Sequence, residues 1–210
     1  MSPRTKEQND AIREKRMNQI MQAAAEVYLE KGIQLEIRDV AVQAELGYGT
    51  VYHYYKNKHM LLEDLLWDAL NRAESTVQRA WTGEGGGLHQ AESFSRRLLQ
   101  TCIQDPSVFI LLKTVADNFH HFPGNRFSKL FADFQQRIYL PFVEMVREGV
   151  DSESPEKTAR LIFGSLVGCT ALNIHHHMRN ETDVEGIVDL IFSGIPHRRG
   201  ERNGHAEVES

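Results

Sequence analysis

The chain has 210 residues, a hydrophobic content of 41%, a charged content of 25% and a formal net charge of −5. These values are ordinary for a globular protein and provide enough apolar residues for one domain or two small ones. The N-terminal residues are too polar for a secretory signal peptide, and the longest uncharged apolar run, 161–174, is shorter than the roughly 20 residues that a membrane helix needs. We therefore expect a cytoplasmic protein with no membrane segment.

The charges are distributed unevenly along the chain. Residues 1–60 contain nine Lys and Arg against eight Asp and Glu, whereas residues 61–210 contain fifteen against twenty-one. Because a polyanion is repelled less by the first segment than by the second, the N-terminal part is the more suitable surface for nucleic acid.

Apolar residues recur at three- and four-residue spacing from the start of the chain, which predicts an all-α fold. A first helix is expected over about Asp10–Lys31, where Gly32 is placed to end it. A short second helix follows over about Ile37–Ala44, and a third follows the next turn. Asn57 is the expected N-cap of a fourth helix, which extends to about residue 81.

Further helices are expected after the glycine-rich break at residues 82–87. Proline is favoured at the first position of a helix but disrupts a helix interior, so Pro106 and Pro155 mark helix starts and Pro141 predicts a kink. The pattern of Thr182 followed by Glu185 predicts a capping box for the last helix. The expected ranges are 88–104, 106–120, 127–150, 155–178 and a final helix to about residue 195.

Two short helices joined by a four-residue turn follow the helix-turn-helix plan. The two helices cross closely, so the first needs a small residue, Ala41, opposite an apolar residue of the second, Val51. Val40 and Leu46 are expected to seal the underside of this crossing, and Tyr55 is expected to point into the core. The outward face is rich in hydrogen-bonding groups and free of carboxylates, as a helix that reads DNA requires. It comprises Tyr48, Gly49, Thr50, His53 and Tyr54.

The segment "IRDVAVQAELGYGTVYHYYKNKHMLL", residues 37–62, resembles the TetR family of bacterial transcriptional regulators. The resemblance extends over about residues 13–70, and "GTVYHYYKNK" is its most specific part. It implies that Tyr52 and Lys58 contact phosphates and that the outward face of the third helix reads bases. The candidate DNA-binding residues are Arg38, Tyr48, Gly49, Thr50, Tyr52, His53, Tyr54, Lys56 and Lys58.

Three residues depart from the pattern of that family. Glu45 replaces a common turn glycine, and a non-glycine residue in the left-handed region costs roughly 1–2 kcal/mol. Gly47 replaces an N-cap hydroxyl at the start of the third helix, which weakens that cap modestly. Glu36 stands where a Thr or Ser often caps the second helix, and its carboxylate is expected to repel DNA.

The resemblance also implies a helical C-terminal domain that binds a ligand and dimerises. We expect a flexible arm at residues 1–9, a helix-turn-helix domain at 10–57, a connecting helix at 58–81, a ligand-binding and dimerisation domain at 82–195 and a disordered tail at 196–210.

Small and apolar residues on the last two helices suggest a four-helix interface between two subunits. The candidate interface residues are Leu161, Gly164, Ser165, Gly168, Leu172, Val184, Ile187, Val188, Ile191 and Ile195. Packing within one chain is the alternative explanation of the same pattern.

Aromatic and soft apolar residues suggest a pocket for a small apolar or aromatic effector. The candidates are Trp67, Phe109, Phe119, Phe122, Phe127, Phe131, Met145, Cys169, His175 and His176. An ordinary core explains these aromatic residues equally well.

The resulting functional prediction is a homodimeric repressor that binds a near-palindromic operator in double-stranded DNA and responds to a small effector. No cofactor, metal or enzymatic activity is expected, because neither a nucleophile–base pair nor a ligand set with metal spacing is visible. A helical metal or redox sensor is the alternative, and a helical enzyme is a third possibility. The sensor would use His120, His121, His175, His176, His177, Cys102 and Cys169.

Overall fold

The computed structural model describes residues 6–81, 86–117, 127–151, 153–175 and 182–195. The fold is all-α, as predicted, and the described residues contain no β-strand. The helices are α1 (Lys6–Lys31), α2 (Ile37–Gln43), α3 (Tyr48–Tyr54), α4 (Lys58–Trp81), α5 (Gly87–Gln104), α6 (Pro106–Ala116), α7 (Ser128–Phe134), α8 (Leu140–Gly149), α9 (Pro155–His175) and α10 (Val184–Ser193). The predicted tail lies outside the described residues.

Two helix boundaries lie where the sequence analysis predicted them. Gly32 follows the last residue of α1 with a φ of +58°, the left-handed conformation that ends many helices. Asn57 caps α4, because its side-chain oxygen accepts a hydrogen bond of 3.1 Å from the backbone N–H of Met60. At its other end α1 begins at Lys6, one turn before the predicted start at Asp10.

The predicted capping box at the start of α10 is wrong by one residue. The N-cap is Asp183, whose carboxylate accepts a hydrogen bond of 3.0 Å from the backbone N–H of Gly186. Both Thr182 and Asp183 have the chemistry of a cap, but a carboxylate at a helix N-terminus is also favoured by the helix dipole.

The helix that was predicted to contain Pro141 is interrupted by a π-helical turn just before this residue. A π-helical turn at Gln135–Tyr139 separates α7 from α8, and the backbone N–H of Leu140 donates to the carbonyl of Gln135. Proline has no N–H to continue the α-helical ladder, and single π turns are one of the ways in which helices absorb such a break. The single helix predicted over residues 127–150 is therefore two helices.

The described residues group into two compact units. The first comprises residues up to Ala69 together with Pro106–Phe127. Its core joins α1, α2, α3 and the start of α4, and α6 packs against α1. The sequence analysis placed α6 in the C-terminal segment 82–195, so this grouping divides the chain differently. The buried core residues include Ile20, Val40, Ala41, Val51, Tyr55 and Leu61.

The second unit comprises Leu70–Asp105 and the described residues from Ser128 onward. Its centre is the packing of α5 on α8 and of α8 on α9. The rings of Phe94 and Phe142 lie 4.8 Å apart at this centre. Arg137 of the π turn binds the side chains of Asn71 and Glu74 on α4, and α10 packs against α5.

Glu45 has a φ of 53°, so the turn keeps the left-handed geometry that the family pattern requires. We expect Glu45→Gly to raise the free energy of unfolding by about 0.5–1 kcal/mol, because the relief of backbone strain exceeds the extra entropy of glycine in the unfolded chain. Chemical denaturation measures this change. Gly32→Ala is the matched control at the other positive φ and should lower stability by a similar amount. A loss of stability in Glu45→Gly would argue against a left-handed turn in solution.

Candidate nucleic-acid interface

The helix-turn-helix is closed by short hydrogen bonds and a small apolar core. Across the turn, the N–H of Leu46 donates to the carbonyl of Ala41 at 2.9 Å. The side chain of Gln19 on α1 donates to the carbonyl of Ala44 at 2.6 Å, which ties the turn to α1. Ala41 and Val51 are both buried, which confirms the predicted close crossing of α2 and α3.

The outward face of α3 consists mainly of exposed polar and aromatic side chains. Tyr48 and Tyr52 are 54% and 42% exposed, and His53 is also exposed. Tyr55 is buried, as predicted. Tyr54 differs from the expectation, because it is half-buried and packs partly against the core of the first unit. The four tyrosines therefore divide between surface and core.

Three side chains form a continuous row, which we call the tyrosine row: Tyr48, Tyr52 and Lys56. The rings of Tyr48 and Tyr52 are stacked, with centroids 5.7 Å apart and planes inclined by 23°. The ammonium of Lys56 lies 4.6 Å from the centroid of the Tyr52 ring, within the range of a cation–π interaction. The spacing of four residues in the sequence is the signal that could have predicted this row.

The start of α2 contains two ion pairs. Lys31 lies 2.8 Å from a carboxylate oxygen of Asp39, and this hydrogen bond lowers the pKa of Asp39. The other oxygen of Asp39 accepts the backbone N–H of Glu36 at 3.1 Å. Arg38 lies 2.8 Å from the carboxylate of Glu36. The carboxylate of Glu36 thus offsets part of the positive charge of a predicted DNA-binding residue.

Lys58 has a structural contact that the sequence did not indicate. Its ammonium donates a hydrogen bond of 2.6 Å to the carbonyl of Ile33, in the 3₁₀ turn Gly32–Gln34 that follows α1. This bond ties the start of α4 to α1. An ammonium has three donors, so a phosphate contact by Lys58 remains compatible with the bond.

A cleft of about 310 Å³ lies beside the C-terminal end of α3. Its lining combines one guanidinium, one carboxylate and three aromatic or imidazole rings, contributed by Arg13, Met17, His53, Tyr54, Tyr55 and Asp64. Burial, with a smaller contribution from Asp64, raises the pKa of Tyr55 well above its usual range. The Tyr55 hydroxyl therefore stays protonated.

The predicted interface residues of α9 lie on the surface of the chain. Leu161 and Leu172 are 65% and 63% exposed, and Gly164, Ser165 and Gly168 lie exposed between them. On α10, Val184, Ile187 and Ile191 are half-buried, as is Ile195 just after the end of the helix, whereas Val188 is fully buried within its own chain. Leu190 is 78% exposed and was missed by the sequence analysis.

The predicted effector-binding residues are divided between the two units. Trp67, Phe109 and Phe127 belong to the first unit, and Phe131, Met145 and Cys169 to the second. Phe109, Phe127 and Met145 are buried, and the other three are half-buried. Phe119, Phe122, His176 and the side chain of His175 lie outside the described residues.

The sequence analysis missed an aromatic cluster in the second unit. The ring of Phe163 on α9 makes edge contacts with three other rings, each with centroids 5.9 Å apart. Those three rings lie in or beside the π turn between α7 and α8, and they are Phe134, Tyr139 and Phe142.

The described residues offer little for metal or thiol chemistry. Among them, no group of three or more metal-ligating side chains could hold an ion, although His120, His121, His176 and His177 lie outside that set. Cys102 is buried, and burial raises the pKa of its thiol far above the usual range. No described helix is long and apolar enough to cross a membrane.

An all-helical chain with a helix-turn-helix whose outward face lacks carboxylates has the architecture of a DNA-binding regulator. Comparison with known proteins supports this class. Residues 20–65 match the sequence model of bacterial regulatory proteins of the tetR family. The transcriptional repressor KstR2 of Mycolicibacterium smegmatis is 31% identical over 196 residues, which cover 90% of this chain and 94% of that protein.

Solved structures share the same fold at low sequence identity. The MbdR regulator from Azoarcus sp. CIB has a TM-score of 0.74 at 16% identity, covering 85% of this chain and 98% of that one. AibR in complex with isovaleryl coenzyme A and operator DNA has a TM-score of 0.68 at 16% identity, covering 87% and 99%. The chain belongs to the TetR family of bacterial regulatory proteins, and it is a DNA-binding transcriptional regulator.

Proposed function

We propose that this regulator represses transcription as a homodimer bound to a near-palindromic operator, and that a small effector releases it. The observation that supports the operator site best is the exposed tyrosine row on a helix without carboxylates. Phenol rings with a neighbouring ammonium suit a surface that meets phosphates and base edges. No catalytic activity is part of the proposal, and a regulator of genes is expected to act in the cytoplasm.

Within the operator complex we assign two kinds of contact. Arg38, Tyr52, Lys56 and Lys58 contact phosphates, which fix the position of the protein without reading sequence. The remaining candidates face the bases, and they are Tyr48, Gly49, Thr50, His53 and Tyr54. His53 has an exposed imidazole one turn beyond Gly49, so a single hydrogen bond to a base edge is its proposed role.

The proposed dimer interface is the exposed stripe of α9 together with α10. Gly164 and Gly168 lie in the interior of α9, where a glycine costs up to about 1 kcal/mol relative to alanine. A Cβ atom at either position would meet nothing within 4 Å of its own chain. Close approach of a second subunit explains why glycine is present at both positions. Packing within the described chain does not explain it, because no described atom lies near either position. Val188 is not included in this interface, and Leu190 is added to it.

We propose that the effector is an apolar small molecule and that an acyl coenzyme A is the first class to test. One similar structure binds isovaleryl coenzyme A, and the second unit has aromatic side chains suited to a short acyl chain. Phe131 and Cys169 are half-buried candidates, and the cluster around Phe163 lies beside a π turn. Such turns occur frequently at functional sites. Met145, which also belongs to the second unit, remains a candidate, and the domain boundaries predicted from the sequence remain a proposal.

Selection of genomic DNA fragments by the purified protein tests the operator proposal. We expect an enriched inverted repeat whose affinity falls steeply with salt, because phosphate contacts release counterions. Addition of isovaleryl coenzyme A should weaken binding, with free coenzyme A as the matched control for the acyl group. Failure to enrich any repeat would refute the operator proposal. Enrichment without any response to the acyl compound would refute only this effector class.

Glu36 gives a separate prediction about affinity. We expect Glu36→Gln to strengthen operator binding by roughly three- to tenfold at low salt, since it removes a carboxylate facing phosphate and frees the guanidinium of Arg38. Glutamine keeps a side-chain oxygen that can accept the backbone N–H of Asp39 in the capping box, and the backbone N–H of residue 36 keeps its bond to Asp39, so the helix start is preserved. Glu30→Gln, at an exposed position of α1, is the charge-matched control and should change affinity little. Equal gains from both variants would mean that only net charge matters.

A further inference from the structure

The composition of α3 limits how this protein can read bases. Its seven residues, Tyr48–Tyr54, include no Arg, Lys, Asn or Gln. Bidentate hydrogen bonding to guanine comes from Arg or Lys, and bidentate bonding to adenine comes from Asn or Gln. From α3 itself, therefore, neither purine can be recognised by a paired hydrogen bond.

Instead, α3 exposes the aromatic ring of Tyr48, an apolar surface that is held in place by its neighbour. The ring of Tyr48 is more than half exposed and is stacked on Tyr52, whose ring also contacts the ammonium of Lys56. The stacking against Tyr52 restricts the rotamers of Tyr48 before DNA is bound. Gly49 adds no side chain beside that ring, and a Cβ there would meet nothing within 4 Å.

One base in the major groove displays an apolar group, the 5-methyl of thymine. We infer that Tyr48 recognises thymine 5-methyl groups, so that each operator half-site is read mainly by apolar contact. His53 adds one hydrogen bond and does not replace that contact. This inference rests on the proposed operator function and specifies which DNA chemistry the site reads.

The expected loss of affinity follows from the free energy of burying one methyl group. Removal of a buried methyl group from the interface corresponds to roughly a fourfold loss of affinity. Because the two half-sites are equivalent in a symmetric complex, the same change in both should multiply to roughly sixteenfold.

Operators that contain deoxyuridine in place of single thymines test the inference, since the two bases differ only in the methyl group. We expect at least one thymine in each half-site at which this change weakens wild-type binding about fourfold. In Tyr48→Ala the same uridine should change affinity by less than about 1.5-fold, whereas Tyr48→Leu should retain part of the sensitivity. Uridine outside the half-sites is the matched DNA control and should have no effect.

A second set of operators with 7-deazapurines removes the N7 acceptors that bidentate contacts use. We expect these operators to bind within about twofold of the parent, except at the base pair that His53 contacts. Uridine insensitivity at every thymine, or tenfold losses at several deazapurines, would overturn the inference while leaving operator binding intact. Absence of any operator binding would instead count against the proposed function itself.

Discussion

The double variant Gly168→Glu and Leu172→Glu is expected to be monomeric and to bind its operator at least 100-fold more weakly than the wild type. Two linked DNA-binding heads gain roughly 10²- to 10⁴-fold in affinity from simultaneous engagement, and this gain is lost when the subunits separate. The two glutamates would place like charges, four residues apart on α9, in a stripe that now consists of small and apolar residues. A buried charge without a partner is strongly unfavourable in such an interface.

The exposure of these positions makes the experiment specific. Leu172 is 63% exposed, and a Cβ at Gly168 would meet nothing within 4 Å, so neither substitution disturbs the described chain. Leu140→Glu is the control, because Leu140 is 49% exposed and lies on α8, outside the stripe. Sedimentation measures the oligomeric state, and circular dichroism checks that the fold is retained. A dimer with unchanged operator affinity would place the interface elsewhere.

Local sequence signals predicted most helix boundaries because their causes are local. Gly32 ends α1 by its left-handed backbone, and Asn57 starts α4 with a hydrogen bond three residues away. At Glu45 the family pattern pointed to the left-handed region that favours glycine, and the φ of 53° lies in that region. Where two neighbours had equivalent chemistry, as at Thr182 and Asp183, the sequence pattern selected the wrong one.

Tertiary contacts were harder to predict, because they depend on which distant segments meet. No spacing rule indicates that Lys58 donates to the carbonyl of Ile33, 25 residues earlier. The grouping of α6 with α1 and the burial of Val188 likewise depend on packing between helices that are distant in sequence. The Arg38–Glu36 pair joins residues two apart, yet its formation depends on rotamers that the sequence does not specify.

These contacts change how substitutions at the candidate site should be interpreted. Replacement of Lys58 removes both a charge and a bond that holds α4 to the turn after α1, so its effect on DNA binding mixes two causes. Lys56 instead contacts the exposed ring of Tyr52 on the same surface. It is therefore the better residue for measuring how much one proposed phosphate contact contributes to the salt dependence of DNA binding. In the proposed operator complex, the tyrosine row supports that charge and also provides a surface for bases.

Gly149→Ala is expected to lower the free energy of unfolding by about 3 kcal/mol, at the upper end of the cost of overpacking a core. Gly149 is the last residue of α8, and a Cβ atom there would overlap the backbone nitrogen and Cα of Leu88 near the start of α5. Backbone atoms cannot move aside as a flexible side chain does. The substitution must therefore separate α5 from α8, the two helices at the centre of the second unit.

Gly194→Ala is the matched control for this effect. Gly194 follows α10 with a φ of −87°, which any residue adopts, and a Cβ there would meet nothing within 4 Å. Its substitution should change stability by no more than about 0.5 kcal/mol, the usual range for a surface position. Chemical denaturation of both variants, monitored by circular dichroism, measures the difference. Equal stability of the two variants would show that α5 and α8 do not approach this closely in solution, because only a direct backbone contact at Gly149 distinguishes the two sites.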